Sequence, residues 1–256
     1  MNRVMMVTGG VRNTGLAIAR RFAREGYDVI LTSRKAEDAQ RTAAALGNEF
    51  PGVRFLGLGM DPQHVDSIRS AFAAVKKEFG RLDAFVSNAA HLGVGYSIFN
   101  STPEDWDAVM NANARGGFFG TQEAVKLMDR GGAICLIGSV HAAQTIPARV
   151  LYAASKGAIS AMTHALAIEL GHLNIRVNAL IAGAIHTDRW DAQDEALTEQ
   201  RRSNYPAGRE STGDEIAAGV YYLCSDDAKT VTGSELTIDS GITSCILKYD
   251  KNWRQK

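Results

Sequence analysis

The sequence predicts an α/β fold in which one parallel sheet is covered by helices on both faces. Short apolar segments alternate with amphipathic segments along the chain, and this alternation is typical of parallel strands joined by helical crossovers. The predicted strands are continuous apolar runs such as Val4–Val7, as expected for strands buried on both faces. The first strand leads into a glycine-rich turn and then a helix, which opens a strand–helix–strand unit.

Seven segments are predicted to be strands, near residues 3–8, 28–33, 53–58, 82–87, 132–138, 175–181 and 234–238. Six amphipathic segments are predicted to be helices, near residues 15–25, 36–48, 64–79, 103–128, 151–172 and 213–224. Right-handed crossovers bring the carboxyl ends of parallel strands to one edge of the sheet, where α/β folds bind ligands. We therefore expect the glycine turn, Asn88, Ser139 and Gly183 to lie at that edge.

Length and charge narrow the class of protein. A chain of 256 residues can bury a substantial core, and no repeat or low-complexity tract divides it, so residues 1–256 are expected to form a single domain. The formal charge is zero, with 28 cationic and 28 anionic side chains, and gives no indication of a nucleic-acid partner. No apolar run approaches the roughly 20 residues that cross a bilayer. The first strand begins by residue 3 or 4, so neither a membrane span nor a signal peptide is expected.

The cysteine content indicates a reducing compartment. The three cysteines, Cys135, Cys224 and Cys245, form neither a CxxC nor a zinc-ligand pattern. A sparse, odd number of cysteines is usual in the cytoplasm, where disulfides are rare. We expect a cytoplasmic protein without a metal site.

Residues 8–15, Thr-Gly-Gly-Val-Arg-Asn-Thr-Gly, make up the glycine-rich turn. Glycine lets the backbone approach a pyrophosphate closely, and the N-terminus of the next helix offers unpaired N–H groups and a positive dipole. An ordinary strand–helix turn also tolerates glycine, but the residues downstream favour the dinucleotide interpretation. The turn therefore predicts a dinucleotide-binding site.

Tyr152 and Lys156 are the strongest indication of catalysis. A spacing of four places them on one face of the predicted helix, one turn apart. An ammonium beside a phenol favours the phenolate, so Lys156 is expected to lower the pKa of Tyr152 from its usual value of about 10. A phenol tuned in this way can exchange a proton with a reacting group. Ser139 ends the apolar strand upstream, and its hydroxyl is expected beside Tyr152.

Together these segments resemble the short-chain dehydrogenase/reductase family from Val4 to about Thr243. The family's Thr-Gly-x-x-x-Gly-x-Gly corresponds to residues 8–15 and its Asn-Asn-Ala-Gly to residues 87–90. Its closing Gly-x-x-x-x-x-Asp-Gly-Gly corresponds to residues 233–241. The resemblance implies a Rossmann-like doubly wound fold, with a seven-stranded parallel sheet in the order 3-2-1-4-5-6-7.

The resemblance also implies the roles of individual residues. Asn113, Ser139, Tyr152 and Lys156 match the family's catalytic positions. In the implied mechanism, Ser139 bonds the substrate oxygen, Tyr152 exchanges the proton, Lys156 holds the nicotinamide ribose, and Asn113 positions water or backbone behind Lys156. The residues implied to hold a nicotinamide dinucleotide come from the whole length of the chain: Gly9, Arg12, Asn13, Thr14, Gly15, Ser33, Arg34, Asp61, Asn88, Ala89, Tyr152, Lys156, Gly183, Ile185 and Thr187.

Three positions depart from the family pattern. Asn13 stands where the family has its middle glycine, and Ala90 and Ala182 replace residues that shape the cofactor cleft. Asn tolerates left-handed backbone conformations better than most residues, so the turn is expected to keep its shape.

The residues after the second predicted strand favour NADP(H) over NAD(H). NAD-selective proteins carry an acidic residue about 20 positions beyond the glycine turn, where it binds the ribose 2′-hydroxyl. Ser33 occupies that position here, Arg34 and Lys35 follow it, and Arg12 adds a cation in the turn. Such a cluster attracts a 2′-phosphate. The alternative interpretation is a set of solvated surface cations at the start of a helix.

The substrate is less well indicated. Residues 184–213 show no pattern beyond local helix, and the resemblance implies that they form a substrate lid. Several polar or aromatic residues are candidates to line the pocket: His91, His141, Gln144, Arg149 and Trp190. This set favours a hydroxylated or acidic substrate such as a sugar, a polyol or a keto acid. Residues 247–256 extend past the family pattern.

Three functions are compatible with the sequence. The first is NADPH-dependent reduction of a ketone or aldehyde, and the second is oxidation by a sugar or polyol dehydrogenase. The third is a dinucleotide-binding sensor without turnover, against which the complete set of Ser139, Tyr152 and Lys156 weighs. The resemblance further implies a homotetramer, or a homodimer, that acts on a small molecule.

Overall fold

The computed structural model describes residues 2–187 and 194–245. Within them, seven strands form one sheet. In chain order these are β1 (Val4–Val7), β2 (Asp28–Ser33), β3 (Phe55–Gly59), β4 (Ala84–Ser87), β5 (Gly132–Ser139), β6 (Ile175–Ala182) and β7 (Glu235–Ile238).

The helices lie between the strands at nearly the predicted places. They are α1 (Asn13–Arg24), α2 (Ala36–Glu49), α3 (Val65–Phe79), α4 (Pro103–Met110), α5 (Gly116–Val125), α6 (Val150–Leu170), α7 (Glu195–Arg202) and α8 (Gly213–Cys224). Among the described residues, none of these helices has the length and apolar character needed to cross a membrane.

The strand order is β3-β2-β1-β4-β5-β6-β7 and every pair is parallel, which confirms the predicted topology. Val7 pairs with Val86, and Ser139 pairs with Ala182. Because parallel strands end at the same edge, the residues that follow β1, β4, β5 and β6 meet there.

The sheet buries both of its faces. Met5 and Val7 of β1 pack into a core formed with α1, α2 and α8. Val4 and Met6 point the other way, into a core formed with α3, α5 and α6. Since consecutive side chains in a strand face opposite sides, burial on both sides requires the continuous apolar runs seen in the sequence.

Capping residues explain where two of the helices begin. Thr102 accepts a hydrogen bond from the backbone N–H of Asp105, whose carboxylate accepts one from the N–H of Thr102. Thr212 and Glu215 make the same reciprocal pair at the start of α8. Each pair satisfies N–H groups that the first helical turn leaves unbonded.

The prediction of one continuous helix over residues 103–128 is wrong in two respects. A π-helical turn, Asn111–Arg115, separates α4 from α5, and α5 ends at Val125. Such turns insert an extra residue and occur frequently at functional sites. The chain leaves the helical path after Val125 because the carbonyl of Leu127 accepts a hydrogen bond from Leu82, just before β4.

Two glycine substitutions test whether close packing of the turn matters. A Cβ on Gly15 would lie 2.1 Å from the carbonyl oxygen of Gly9, whereas a Cβ on Gly47 in α2 would meet nothing within 4 Å. We expect Gly15→Ala to lower the melting temperature and weaken dinucleotide binding, because the turn must open. Gly47→Ala should stabilise α2 by up to about 1 kcal/mol. Thermal unfolding and NADPH titration measure both effects, and equal behaviour of the two variants would contradict the tight turn.

Candidate active site

The glycine turn after β1 has the backbone conformation that a dinucleotide site requires. Gly9 has a φ of +66° and Asn13 has a φ of +48°, so Asn13 adopts a left-handed conformation, which Asn tolerates better than most residues. Gly15 packs directly against the carbonyl of Gly9. A Cβ added to Gly15 would lie 2.8 Å from the side-chain amide nitrogen of Asn88. The N-terminus of α1 carries no side-chain cap and no acidic residue in its first turn. Its N–H groups and positive end therefore suit a pyrophosphate.

Thr8 and Asn88 join the ends of β1 and β4. The Thr8 hydroxyl accepts hydrogen bonds from the N–H groups of Asn88 and Ala89, at 2.9 and 2.8 Å. The Asn88 amide donates in return to the carbonyls of Thr8 and Gly9, at 2.9 and 3.3 Å. Asn88, implied to lie against the adenosine ribose, thus also fixes the turn from the neighbouring strand.

The end of β2 presents cations without acidic partners. Arg12 and Arg34 are exposed, and neither forms an ion pair within residues 2–187 and 194–245. The Ser33 hydroxyl accepts a hydrogen bond from the backbone N–H of Lys35 at 3.3 Å. After β3, the Asp61 carboxylate accepts one from the N–H of Gln63 at 3.0 Å.

Lys156 is buried behind Tyr152, one turn along α6. Its Nζ donates to the carbonyl oxygen of Ile137 at 2.6 Å and lies 5.6 Å from the centre of the Tyr152 ring. In the described part of the chain it has no carboxylate partner. Burial disfavours the ammonium form and lowers the pKa of Lys156 to about 8.

Tyr152 corrects one expectation from the sequence. Burial raises its pKa, and the hydrogen bond with Ser139 and the positive charge of Arg149 offset only part of this rise. The predicted lowering by Lys156 is wrong for the ligand-free protein, because removing the phenolate from water costs more than these neighbours return. Tyr152 is consequently a neutral phenol near neutral pH and can act as a proton donor.

The buried side chain of Asn113 makes hydrogen bonds to two different segments near Tyr152 and Lys156. Its side-chain N–H groups donate to the His91 carbonyl and to the Ser155 hydroxyl, both at 2.9 Å, and its oxygen accepts from the His91 N–H at 2.7 Å. Ser155 in turn donates to the Tyr152 carbonyl at 2.8 Å. The π-helical turn thereby connects the loop after β4 to the catalytic turn of α6.

The candidate pocket residues fall into two groups. His141 lies edge-on to Tyr152, with ring centres 5.6 Å apart, and Arg149 donates to the Leu92 carbonyl at 2.9 Å. The side-chain amide of Gln144 instead donates to the carbonyl of Thr243 at 3.1 Å. Trp190 and residues 247–256 lie outside the described residues.

A cavity of about 640 Å³ lies on the β7 side of the catalytic strand end. Ser139 and Gln144 line it from one side and Glu235 from β7 on the other. In residues 2–187 and 194–245, no three His, Cys, Asp or Glu side chains come together as metal ligands would.

Glu210 organises the segment beyond β6. This carboxylate is 3% exposed and accepts two hydrogen bonds from Arg202 of α7, at 2.7 and 3.0 Å. Oε1 of Glu210 also lies 2.9 Å from Nδ1 of His186, the residue between Ile185 and Thr187 in the sequence. The Arg202 guanidinium is the main cause that lowers the pKa of Glu210 to about 2. Glu210 therefore connects α7 to His186, the neighbour of Ile185 and Thr187, which are implied to orient the nicotinamide.

Comparison with known proteins agrees with this geometry. A family model described as enoyl-(acyl carrier protein) reductase matches residues 10–243. The 3-oxoacyl-[acyl-carrier-protein] reductase MabA of Mycobacterium tuberculosis is 34% identical, over 94% of this chain and 93% of its own length. A 3alpha-hydroxysteroid dehydrogenase of Mediterraneibacter gnavus is 32% identical, over 95% and 98%. The crystal structure of a short-chain dehydrogenase/reductase from Serratia marcescens superposes with a TM-score of 0.87, at 31% identity over 94% and 98%.

The chain belongs to the short-chain dehydrogenase/reductase family. It is accordingly an oxidoreductase of the class that uses NAD(P)(H). The glycine turn fits such a cofactor, because the N-terminus of α1 has neither a side-chain cap nor an acidic residue in its first turn, and its N–H groups can bind a pyrophosphate.

Sequence reasoning overlooked three residues of this short-chain dehydrogenase/reductase site. Ser155 lies within the predicted catalytic turn, and its place three residues after Tyr152 could have identified it. Gly93 has a φ of +53° and packs against Tyr152, with an added Cβ only 3.2 Å from that of Tyr152. Glu210 gave no signal, because it lies in a segment without periodic pattern.

The burial of Lys156 predicts how activity depends on pH. Its ammonium is complete well below a pKa of about 8 and is lost as the pH rises through that value. We expect kcat/KM to fall above about pH 8, since that ratio reports ionisations of the free enzyme. A Lys156→Arg variant with measurable activity should lack this limb, because a guanidinium stays charged. A wild-type profile that is flat to pH 10 would contradict the assignment.

Proposed function

We propose that the protein reduces a ketone or aldehyde to an alcohol with NADPH. The observation that carries this proposal is a neutral, half-buried Tyr152, hydrogen-bonded with Ser139 and followed one turn later by the buried Lys156. Reduction consumes one proton and one hydride for each carbonyl. A protonated phenol supplies the proton, whereas oxidation requires a base at the same place.

Each residue has one task in this reaction. The Ser139 hydroxyl bonds the carbonyl oxygen and stabilises the negative charge that develops there. Tyr152 donates its proton to that oxygen, and the reduced nicotinamide supplies the hydride to the carbon. The charge of Lys156 stabilises the phenolate that remains on Tyr152. Asn113 acts as a positioning residue, because both N–H groups of its amide already bond protein oxygens.

The preference for NADPH rests on charge at the end of β2. Ser33 provides no carboxylate for a ribose 2′-hydroxyl, and Arg12 and Arg34 are exposed cations without acidic partners among the described residues. A 2′-phosphate would gain charge-assisted hydrogen bonds from them. Asp61 and Asn88 are the residues we assign to the adenosine half.

We further propose a homo-oligomer built through the central helices, with four copies favoured over two. Trp106 of α4, Phe118 of α5 and Ile168 of α6 are 46%, 41% and 84% exposed. Large exposed apolar side chains on neighbouring helices are typical of a surface covered by another chain.

The unpaired state of Cys135, Cys224 and Cys245 fits a reducing cytoplasm. Residues 1–256 act as one domain in this proposal, with residues 184–213 next to the substrate.

Removing the Tyr152 hydroxyl tests the proposed reaction. Oxidation of NADPH is followed against ketones, keto-sugars and 3-oxoacyl thioesters, with Tyr152→Phe beside the wild type. We expect turnover of at least one carbonyl and a loss of about 100-fold or more in the variant, because the proton donor is gone. Tyr222→Phe, which changes a half-exposed tyrosine on α8, is the matched control. Equal rates in wild type and Tyr152→Phe would refute the mechanism.

A charge reversal at residue 34 tests the cofactor preference. Arg34→Asp should weaken NADPH and improve NADH, because a carboxylate repels the 2′-phosphate and accepts from the 2′-hydroxyl. We expect the ratio of kcat/KM for NADPH over NADH to fall about 10-fold or more, as loss of a charge-assisted hydrogen bond implies. Arg24→Asp, at the far end of α1, controls for net charge. A ratio that stays constant in Arg34→Asp would overturn the assignment.

A further inference from the structure

Arg149 immediately precedes α6 and lies three residues before Tyr152, a spacing that places the two residues on the same side of the helix. Its backbone bridges to Tyr96, and the carbonyl of Ala148 accepts a hydrogen bond from Gly95 at 3.2 Å. Ala148 has a φ of +59°, a left-handed conformation that costs a non-glycine residue about 1 kcal/mol. These contacts fix the position at which the Arg149 side chain leaves the backbone.

The guanidinium is anchored but not neutralised. One nitrogen donates to the Leu92 carbonyl at 2.9 Å, which uses one of its five N–H donors. No carboxylate in residues 2–187 and 194–245 pairs with it. Several other arginines have carboxylate partners, for example Arg3, Arg54, Arg202 and Arg209. Within the described residues, Arg149 shares the unpaired state with the two proposed cofactor-binding arginines, Arg12 and Arg34. The carboxylate of Asp105 accepts a hydrogen bond from the N–H of Thr102 at 3.0 Å, and its charge acts on Tyr96.

The charge of Arg149 reaches the catalytic group. Burial raises the pKa of Tyr152, and the positive charge of Arg149 offsets part of that rise. The same charge acts on the neighbouring His141, whose ring centre lies 5.6 Å from that of Tyr152. Burial, the larger cause, also lowers the pKa of His141, so that this ring is neutral near pH 7. Nδ1 of His141 lies 2.8 Å from the Thr145 hydroxyl. Arg149 is therefore a permanent cation whose charge acts on both Tyr152 and His141.

We propose that Arg149 binds a carboxylate on the substrate, so that the preferred substrates are short-chain oxo acids. This inference rests on the proposed carbonyl reduction. A carboxylate matches the planar fork of one guanidinium and its single charge. A phosphate carries more charge and calls for further cations or a cluster of backbone N–H groups, whereas Arg149 offers one guanidinium. Neutral ketones and thioesters lack the group that Arg149 recognises.

The test compares acids with their own esters. Rates with NADPH are measured for pyruvate, acetoacetate and levulinate, whose carboxylates lie at increasing distance from the carbonyl, and for their methyl esters. We expect kcat/KM to favour one acid over its ester by about 10- to 100-fold, as hydrogen bonds to charged groups allow. Arg149→Gln should reduce this ratio by at least 10-fold, and Arg149→Lys should keep part of it. Arg24→Gln, which removes a distant exposed cation, should leave the ratio unchanged.

A binding measurement separates this inference from the proposed function. The same three oxo acids are titrated without cofactor while the His141 ring proton is followed by NMR, with His141→Asn to assign the signal. Saturable shifts with an acid, absent with its ester and in Arg149→Gln, would support the carboxylate site even if NADPH turnover failed. Suppose instead that carbonyls are turned over, that the ratio of kcat/KM for acid over ester is the same in wild type and Arg149→Gln, and that no acid causes a saturable shift. This result would overturn the carboxylate site and leave the reductase proposal standing.

Discussion

The hydrogen bond from Lys156 to the carbonyl of Ile137 is the constraint on which the rest of the site depends. It holds an ammonium in a dry position at the carboxyl end of β5, at 2.6 Å from a backbone oxygen. Burial disfavours the charged form of an amine, and it lowers the pKa of Lys156 to about 8. The same dry surroundings raise the pKa of Tyr152. Burial therefore sets both proton affinities, and it sets them in the direction that suits proton donation.

Backbone and polar side chains keep this pair in place. Asn113 links the loop after β4 to α6 through Ser155, and it points inward because a π-helical turn interrupts the helix at that point. Buried polar groups that are fully bonded make an active site rigid, whereas partly bonded ones would weaken it. After β6, Glu210 likewise joins two segments, because its carboxylate contacts both Arg202 of α7 and His186. The catalytic edge of the sheet is thus built from polar contacts that the two apolar cores support from behind.

The sequence predicted the strands well because burial on both faces demands continuous apolar runs, as in β1 and β5. It indicated that the turn tolerates Asn13 in place of glycine, because Asn accepts the left-handed conformation that the structure shows there. It could not predict the π-helical turn at Asn113, since a single extra residue leaves the helical pattern intact. It missed Glu210 because a lone buried carboxylate has no local pattern, and it assigned Tyr152 the wrong direction of pKa shift because spacing shows proximity but not burial.

The central claim is that Tyr152 waits as a neutral phenol in the ligand-free enzyme. The most direct test is an NMR titration of protein labelled with ¹³C at the tyrosine Cζ, with Tyr152→Phe to assign the signal. The structure predicts that the midpoint of the Tyr152 titration lies above about 10, the usual pKa of a free phenol. An ionisation below about pH 9 that disappears in Tyr152→Phe would show that Lys156 outweighs burial, and it would contradict the account.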